Sequence, residues 1–304
     1  MKFEEYYNEV KPEIEKHMRK MFKLEPEVIR RIFEYSTRGG KRFRPTLVLL
    51  AADVLGGERK NCLDYAVVIE LLHTSTLIHD DVIDADELRR GMPTLHRAMY
   101  DLMGLANKVW GKLFGRPRFR DPISLAILAG DGMLARALLL LKTPEAVNAF
   151  ADTVYALLKG AVMEIRHAQE YIDKGLYYDV IVLKTASLFA TSTFLGALTT
   201  DAPSWQKEAV REFGKRLGIM YQMVDDVIDG DAPLWLVDNF EEELKEQYKL
   251  ALMELEKIPT SDENAEYKEA MRDLIPFMLT RLAKEGKVKD VVERVVESIE
   301  EIKG

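Results

Sequence analysis

Cysteine is nearly absent: Cys62 is the only one in 304 residues. That excludes an intramolecular disulfide framework and fits a reducing compartment. A basic excess is lacking too, with 43 Lys and Arg against 51 Asp and Glu and a formal net charge of −8. A nucleic-acid binder would show the opposite, a basic face. No Ser/Gly-rich or Pro-rich run separates two halves, so one domain over 1–304 is expected. The longest apolar stretches are interrupted by Asp53, Asp131 or Arg136, so none reads as membrane-spanning. Met1 to Lys20 is charged and has no apolar segment of the signal-peptide kind. These absences together lead us to expect a soluble protein of the cytoplasm.

Strand-like alternation is missing as well. What is present is helical: apolar residues recur at i, i+3, i+4 and i+7 in Leu47–Leu55, Ala66–Ile78, Ala126–Leu141, Val147–Ile165, Val180–Leu198, Glu208–Val224 and Phe240–Leu255. Gly and Pro punctuate the ends, as at Gly39-Gly40, Gly91-Met92-Pro93, Pro144, Pro203 and Pro233. Val67–Leu77 is apolar on most sides and is expected to be central. With 47% hydrophobic residues to fill a core, the pattern predicts an all-α single-domain bundle of helices enclosing a cavity.

The pentapeptide Asp-Asp-Val-Ile-Asp occurs twice, at Asp80–Asp84 and Asp225–Asp229. Carboxylates at i, i+1 and i+4 share a helix face. Two such helices facing each other would bring six carboxylates to one cavity, which requires cations to neutralise them. Mg²⁺ suits this donor set. It takes one or two carboxylates per ion and completes its shell with water and phosphate oxygens. Four basic features supply a counterpart: Gly39-Gly40-Lys41-Arg42-Phe43-Arg44-Pro45, Arg89-Arg90, Lys184-Thr185, and His73 two turns before Asp81. Diphosphate explains both sets best, one held through metal and another by Arg and Lys. Each element alone has a plainer explanation: a solvated acidic face, a core histidine, a helix C-cap. Their joint occurrence and order carry the inference.

With these motifs the chain resembles the trans-type polyprenyl diphosphate synthases, the family of farnesyl and geranylgeranyl diphosphate synthases. The matching stretches are residues 39–45, 70–84, 88–94, Leu-Ala-Gly-Asp at 128–131, Lys-Thr-Ala-Ser-Leu-Phe at 184–189, and Tyr-Gln-Met-Val-Asp-Asp-Val-Ile-Asp at 221–229. They stand in family order from about residue 36 to 230. The resemblance implies a bundle of roughly ten or more helices around a deep central cavity, the isoprenoid synthase type. It implies that Asp80, Asp81, Asp84, Asp225, Asp226 and Asp229 hold about three Mg²⁺ on an allylic diphosphate. Arg89, Lys184, Thr185 and Gln222 would contact that substrate; Lys41, Arg44, His73 and Arg90 would bind isopentenyl diphosphate. The implied reaction is one five-carbon extension of a prenyl diphosphate. A homodimer is implied too, with a heteromer as the other assembly considered.

The resemblance also places the growing prenyl tail beside the helix of the first pentad, where residues upstream act as a floor. Here those are Thr76 and Ser75, then Leu72. Small Ser75 and Thr76 leave the first floor open, so a product of C20 or longer is expected. The other reading of Ser75 is close approach to a neighbouring helix.

Two departures stand out. Relatives usually carry lysines after the second pentad, but here no basic residue follows Asp229 until Lys245. A segment after 230 is missing, so reduced or altered activity is also an expectation. An insertion-like stretch near 101–122 alternates Lys108, Lys112, Arg116, Arg118 and Arg120 with Trp110, Phe114 and Phe119. It reads either as a surface loop or as a basic contact for a partner or an anionic membrane surface. Two functions from different classes therefore stand: a Mg²⁺-dependent prenyltransferase, and a catalytically weak or silent subunit that binds prenyl diphosphates or regulates an active partner. A terpene cyclase needs no second diphosphate site. A metal hydrolase needs a wet one, which the apolar helices leading into both pentads oppose.

Overall fold

The computed structural model describes residues 1–100, 122–167, 173–284 and 286–300. Its elements are α1 (Phe3–Phe22), α2 (Glu27–Ser36), α3 (Phe43–Val54), α4 (Arg59–Ile83), β1 (Leu88–Arg89), β2 (Met92–Pro93), α5 (Pro122–Leu138), α6 (Pro144–His167), α7 (Lys174–Ile181), a π-helical turn (Val182–Ala186), α8 (Ser187–Ala197), α9 (Ser204–Asp229), α10 (Leu234–Glu256), α11 (Ala265–Leu282) and α12 (Gly286–Glu300). Residues 95–100 are helical too. The protein is all-α, as its periodicity indicates. The basic aromatic stretch, Lys108 to Arg120, lies outside the described residues.

Contacts group the chain into two compact units. The first comprises Met1–Glu13, Phe43–Ala66 and Lys142–Gly304; the second comprises Ile14–Arg42 and Val67–Leu141. In the first, α9 lies against α8 and α10, and α3 lies against α8. Helices α3 and α8 are apolar on all sides and buried along Pro45–Val54 and Leu188–Ala197, as core helices must be. Helix α9 instead buries one stripe, including Val210, Phe213, Leu217, Met220 and Val224. In the second unit, Val67 to Leu72 of α4 are all buried, and the helix opens at His73.

Among the described residues, helices α1, α2, α11 and α12 and the helical residues 95–100 fall outside the periodic stretches noted above. The signal is there for α1, whose Phe3, Tyr6, Val10, Ile14 and Met18 are buried at helical spacing. Charged neighbours dilute it, so the segment reads as merely hydrophilic. The two-residue strands also escape, because a strand that short shows no alternation. They pair antiparallel, Leu88 with Pro93 and Arg89 with Met92. Arg90 (φ 55°) and Gly91 (φ 75°) between them are both left-handed, as a tight hairpin of this twist demands. Among the described residues one helical run, Lys174–Ala197, is apolar and long enough to cross a membrane, but 72% of its apolar window is buried inside the protein. The interrupting charges noted above lie elsewhere, so sequence inspection passes over this run.

Candidate active site

In the first unit the second pentad ends α9. Gly230 caps the helix at φ 82°, a left-handed geometry that glycine adopts without strain. The π-helical turn sets Lys184 against α6 and Thr185 against α9, and a glycine on each helix makes the approach close. A Cβ on Gly160 of α6 would fall 2.5 Å from the Lys184 backbone nitrogen, and one on Gly218 of α9 would fall 2.5 Å from Ala186 Cα. One turn beyond Gly218, Gln222 meets the turn. Thr185 donates to Gln222 Oε1 at 2.6 Å, and Gln222 Nε2 donates to Asp226 Oδ1 at 2.7 Å. The Tyr177 hydroxyl donates to Asp226 Oδ2 at 2.6 Å. The Lys184 ammonium pairs with Glu164.

Burial is the first cause raising the Asp225 carboxyl above the usual range, followed by the like charges of Asp229 and Asp226; Arg44 opposes them. Asp226 is also raised by burial, against the Tyr177 and Gln222 hydrogen bonds. Clustered carboxylates pushed this way favour a bound cation. Arg44 holds its guanidinium 4.5 Å above the Phe189 ring and 5.8 Å from that of Tyr221.

In the second unit, Asp80 and Asp81 lie in the last turn of α4. Asp84 follows the helix end and is exposed, its N–H donating to the Asp80 carbonyl at 2.8 Å. Asp81 is buried and accepts from Arg89 Nε; the same guanidinium reaches Asp86 at 3.2 Å. Burial again raises the Asp81 carboxyl, while Arg89 opposes. The hairpin turns Arg90 the other way, to donate to the Arg38 carbonyl at 3.3 Å. Tyr35, Arg38, Thr74, Asp81, Arg89 and Arg90 share one pocket. The run after Gly40 divides by environment: Lys41 is exposed, whereas Arg42 is buried and bonded to Glu70 at 2.5 Å. His73 is half-buried. Leu72 and Ser75 are buried, with the Ser75 hydroxyl turned back to the Leu72 carbonyl at 2.9 Å and that of Thr76 to His73 at 2.8 Å.

Hydrogen bonds thus join Thr185, Gln222 and Asp226, and in the other unit Asp81 with Arg89. Tyr177, Glu164, Glu70, Tyr35 and Arg38 were not anticipated. Tyr177 carried a usable signal, lying two turns before Lys184 on the same helical run. Among the described residues no three His, Cys, Asp or Glu form a ready cage for a metal ion. Mg²⁺ does not need one, because it keeps water and phosphate oxygens in its shell. The all-oxygen donors of both pentads therefore fit that ion.

A family model described as polyprenyl synthetase matches residues 26–233. The chain is 31% identical over 238 residues to a geranylgeranyl diphosphate synthase of Sulfolobus acidocaldarius, covering 74% of this chain and 66% of that one. It is 32% identical over 204 residues to one of Methanosarcina mazei, covering 64% and 56%. It therefore spans just under two thirds of the first relative and just over half of the second. Among solved structures, a geranylgeranyl pyrophosphate synthase of Corynebacterium glutamicum, complexed with calcium and isoprenyl diphosphate, superposes with a TM-score of 0.67. Identity is 25%, over 91% of this chain and 96% of that one.

Proposed function

The chain belongs to the polyprenyl synthetase family, and on that premise we propose that it condenses isopentenyl diphosphate with an allylic prenyl diphosphate. The product is a trans-prenyl diphosphate of C20 or longer. The observation that carries this reading is the pair of identical pentads, each closing a helix beside cationic and hydrogen-bonding groups. Asp80, Asp81, Asp84, Asp225, Asp226 and Asp229 would hold Mg²⁺ at the allylic diphosphate. The bound ion supplies charge neutralisation where the leaving diphosphate gains negative charge. Lys184, Thr185, Gln222 and Arg89 orient that same diphosphate. Lys41, Arg44, His73 and Arg90 hold isopentenyl diphosphate, whose double bond is then presented to the allylic carbon. Apolar side chains such as Leu72 and Ile78 keep water away from the reacting carbons. We further propose a homodimer working in the cytoplasm.

The test is incubation of the purified protein with labelled isopentenyl diphosphate, Mg²⁺ and each allylic starter from C5 to C20, with products resolved by length. Elongation that disappears in Asp81→Ala supports the reading. One observation favours a second reading, a silent or regulatory prenyl-diphosphate-binding subunit. Helix α10 begins at Leu234, directly after the second pentad, and no cation follows Asp229 before Lys245. Tight Mg²⁺-dependent binding of a prenyl diphosphate with no elongation from any starter would establish that second reading and remove the first.

A further inference from the structure

The tyrosines of α7 and the short connection after the second pentad meet at Asp226. Its backbone carbonyl accepts from the N–H groups of Gly230, Asp231 (2.9 Å) and Ala232 (3.1 Å). The chain therefore reverses at once, and α10 starts at Leu234. Its carboxylate accepts from Tyr177 and Gln222. The short reversal sets Trp235, on the first turn of α10, against those same tyrosines. Its ring lies edge-on to Tyr177 with centroids 5.5 Å apart, and stacks on Tyr178 at 6.5 Å. Tyr178 is in turn held by α10, donating to Glu243 at 2.8 Å. Lys174 pairs with Glu243, its ammonium 5.9 Å from both the Tyr178 and the Trp235 rings. One end of this connected set is an exposed helix start; the other is a carboxylate of the pentad.

A carboxylate that ligates a metal binds best when its own hydrogen bonds fix its orientation. A tyrosine hydroxyl does this only if its ring is held, and here Trp235 and Tyr178 both lie edge-on to it, with centroids at 5.5 and 6.0 Å. We propose that Trp235 is a positioning residue for the diphosphate site: it fixes Tyr177, which fixes Asp226. The stretch after the second pentad, which has no cation of its own before Lys245, thereby serves that site through aromatic packing. The inference rests on the reading of Asp226 as a Mg²⁺ ligand.

The experiment measures Mg²⁺-dependent binding of inorganic pyrophosphate by calorimetry in wild type, Trp235→Ala, Trp235→Phe, Tyr177→Phe and the Tyr177→Phe/Trp235→Ala double variant. Circular dichroism and thermal melts establish that each is folded. Trp235→Ala and Tyr177→Phe should each weaken binding by roughly tenfold. The double variant should lose no more than the worse single one, and Trp235→Phe should stay within about twofold of wild type. A second readout uses Trp110→Phe/Trp205→Phe, which leaves Trp235 as the sole indole. Mg²⁺ with pyrophosphate should change its emission, and adding Tyr177→Phe should remove that change while binding persists at higher concentration. Unchanged affinity in Trp235→Ala, additive losses in the double variant, or no recovery with Phe would overturn the inference. Wild type that binds no pyrophosphate with Mg²⁺ would overturn the functional reading and this inference with it.

Discussion

Arg42 and Lys41 are neighbours with opposite fates. Arg42 is 6% exposed and its guanidinium meets Glu70, itself 2% exposed. Removing one member of such a pair leaves a buried charge unpaired, so Arg42→Ala should lose about 3–5 kcal/mol in denaturant unfolding. Lys41→Ala, at an exposed position, should change stability by no more than about 0.5 kcal/mol while raising the KM for isopentenyl diphosphate. From sequence alone, Lys41, Arg42 and Arg44 form one cationic run. Only tertiary neighbours separate them, because a buried acid such as Glu70 leaves no local pattern. Cys62 gives a sharper chemical test. Burial pushes its thiol up to about 12 from an ordinary value of 9.0. A raised folded value means the neutral thiol supports the fold below pH 9, and that support is lost as pH rises through about 12. Native protein at pH 8 should therefore not react with a thiol reagent, and unfolded protein should react at once. Ser75 separates floor from packing. In Ser75→Phe a shortened product distribution marks a tail floor. Unchanged lengths with a stability loss of about 1–3 kcal/mol mark ordinary overpacking.

At the scale of elements, the turn Val182–Ala186 decides where Lys184 and Thr185 stand. Sequence periodicity runs Val180–Leu198 as one helix, because α8 is apolar on all sides and shows no face for the widened turn to displace. The residues of the turn were legible by resemblance; its geometry was not. The missing information lay in Gly160 and Gly218, whose bare Cα atoms let α6 and α9 close on the turn. Gly218→Ala should force α9 off Ala186, costing about 1–3 kcal/mol. It should also disturb the Thr185–Gln222 contact one helical turn away, so kcat falls together with the melting temperature. Gly132→Ala makes the control, since a Cβ there meets nothing within 4 Å. Equal effects of the two substitutions would show that the close approach on α9 carries no special role.

At the scale of the whole molecule, the helical class, the order of the motifs and the family were legible because they live in spacing and in residue identity. What an outward face is for was not, because periodicity locates a stripe without naming its cover. On α6, Tyr155, Leu158, Val162 and Ile165 are 61%, 58%, 56% and 61% exposed and recur at spacings of three and four. Among the described residues nothing covers this stripe, yet it has the period of a helix–helix seam. The homodimer proposed above would supply a cover, with the α6 stripe of a second copy as the occupant. Placing a carboxylate in such a seam removes it from water without a partner, a cost of roughly 2 kcal/mol or more per site. Leu158→Glu and Val162→Glu together should therefore weaken association by at least about a thousandfold. Sedimentation equilibrium at micromolar concentration should find wild type at twice the chain mass and the double variant at the chain mass. A wild-type protein that sediments as a single chain would remove the homodimer, and a double variant that remains dimeric would place the interface on another face.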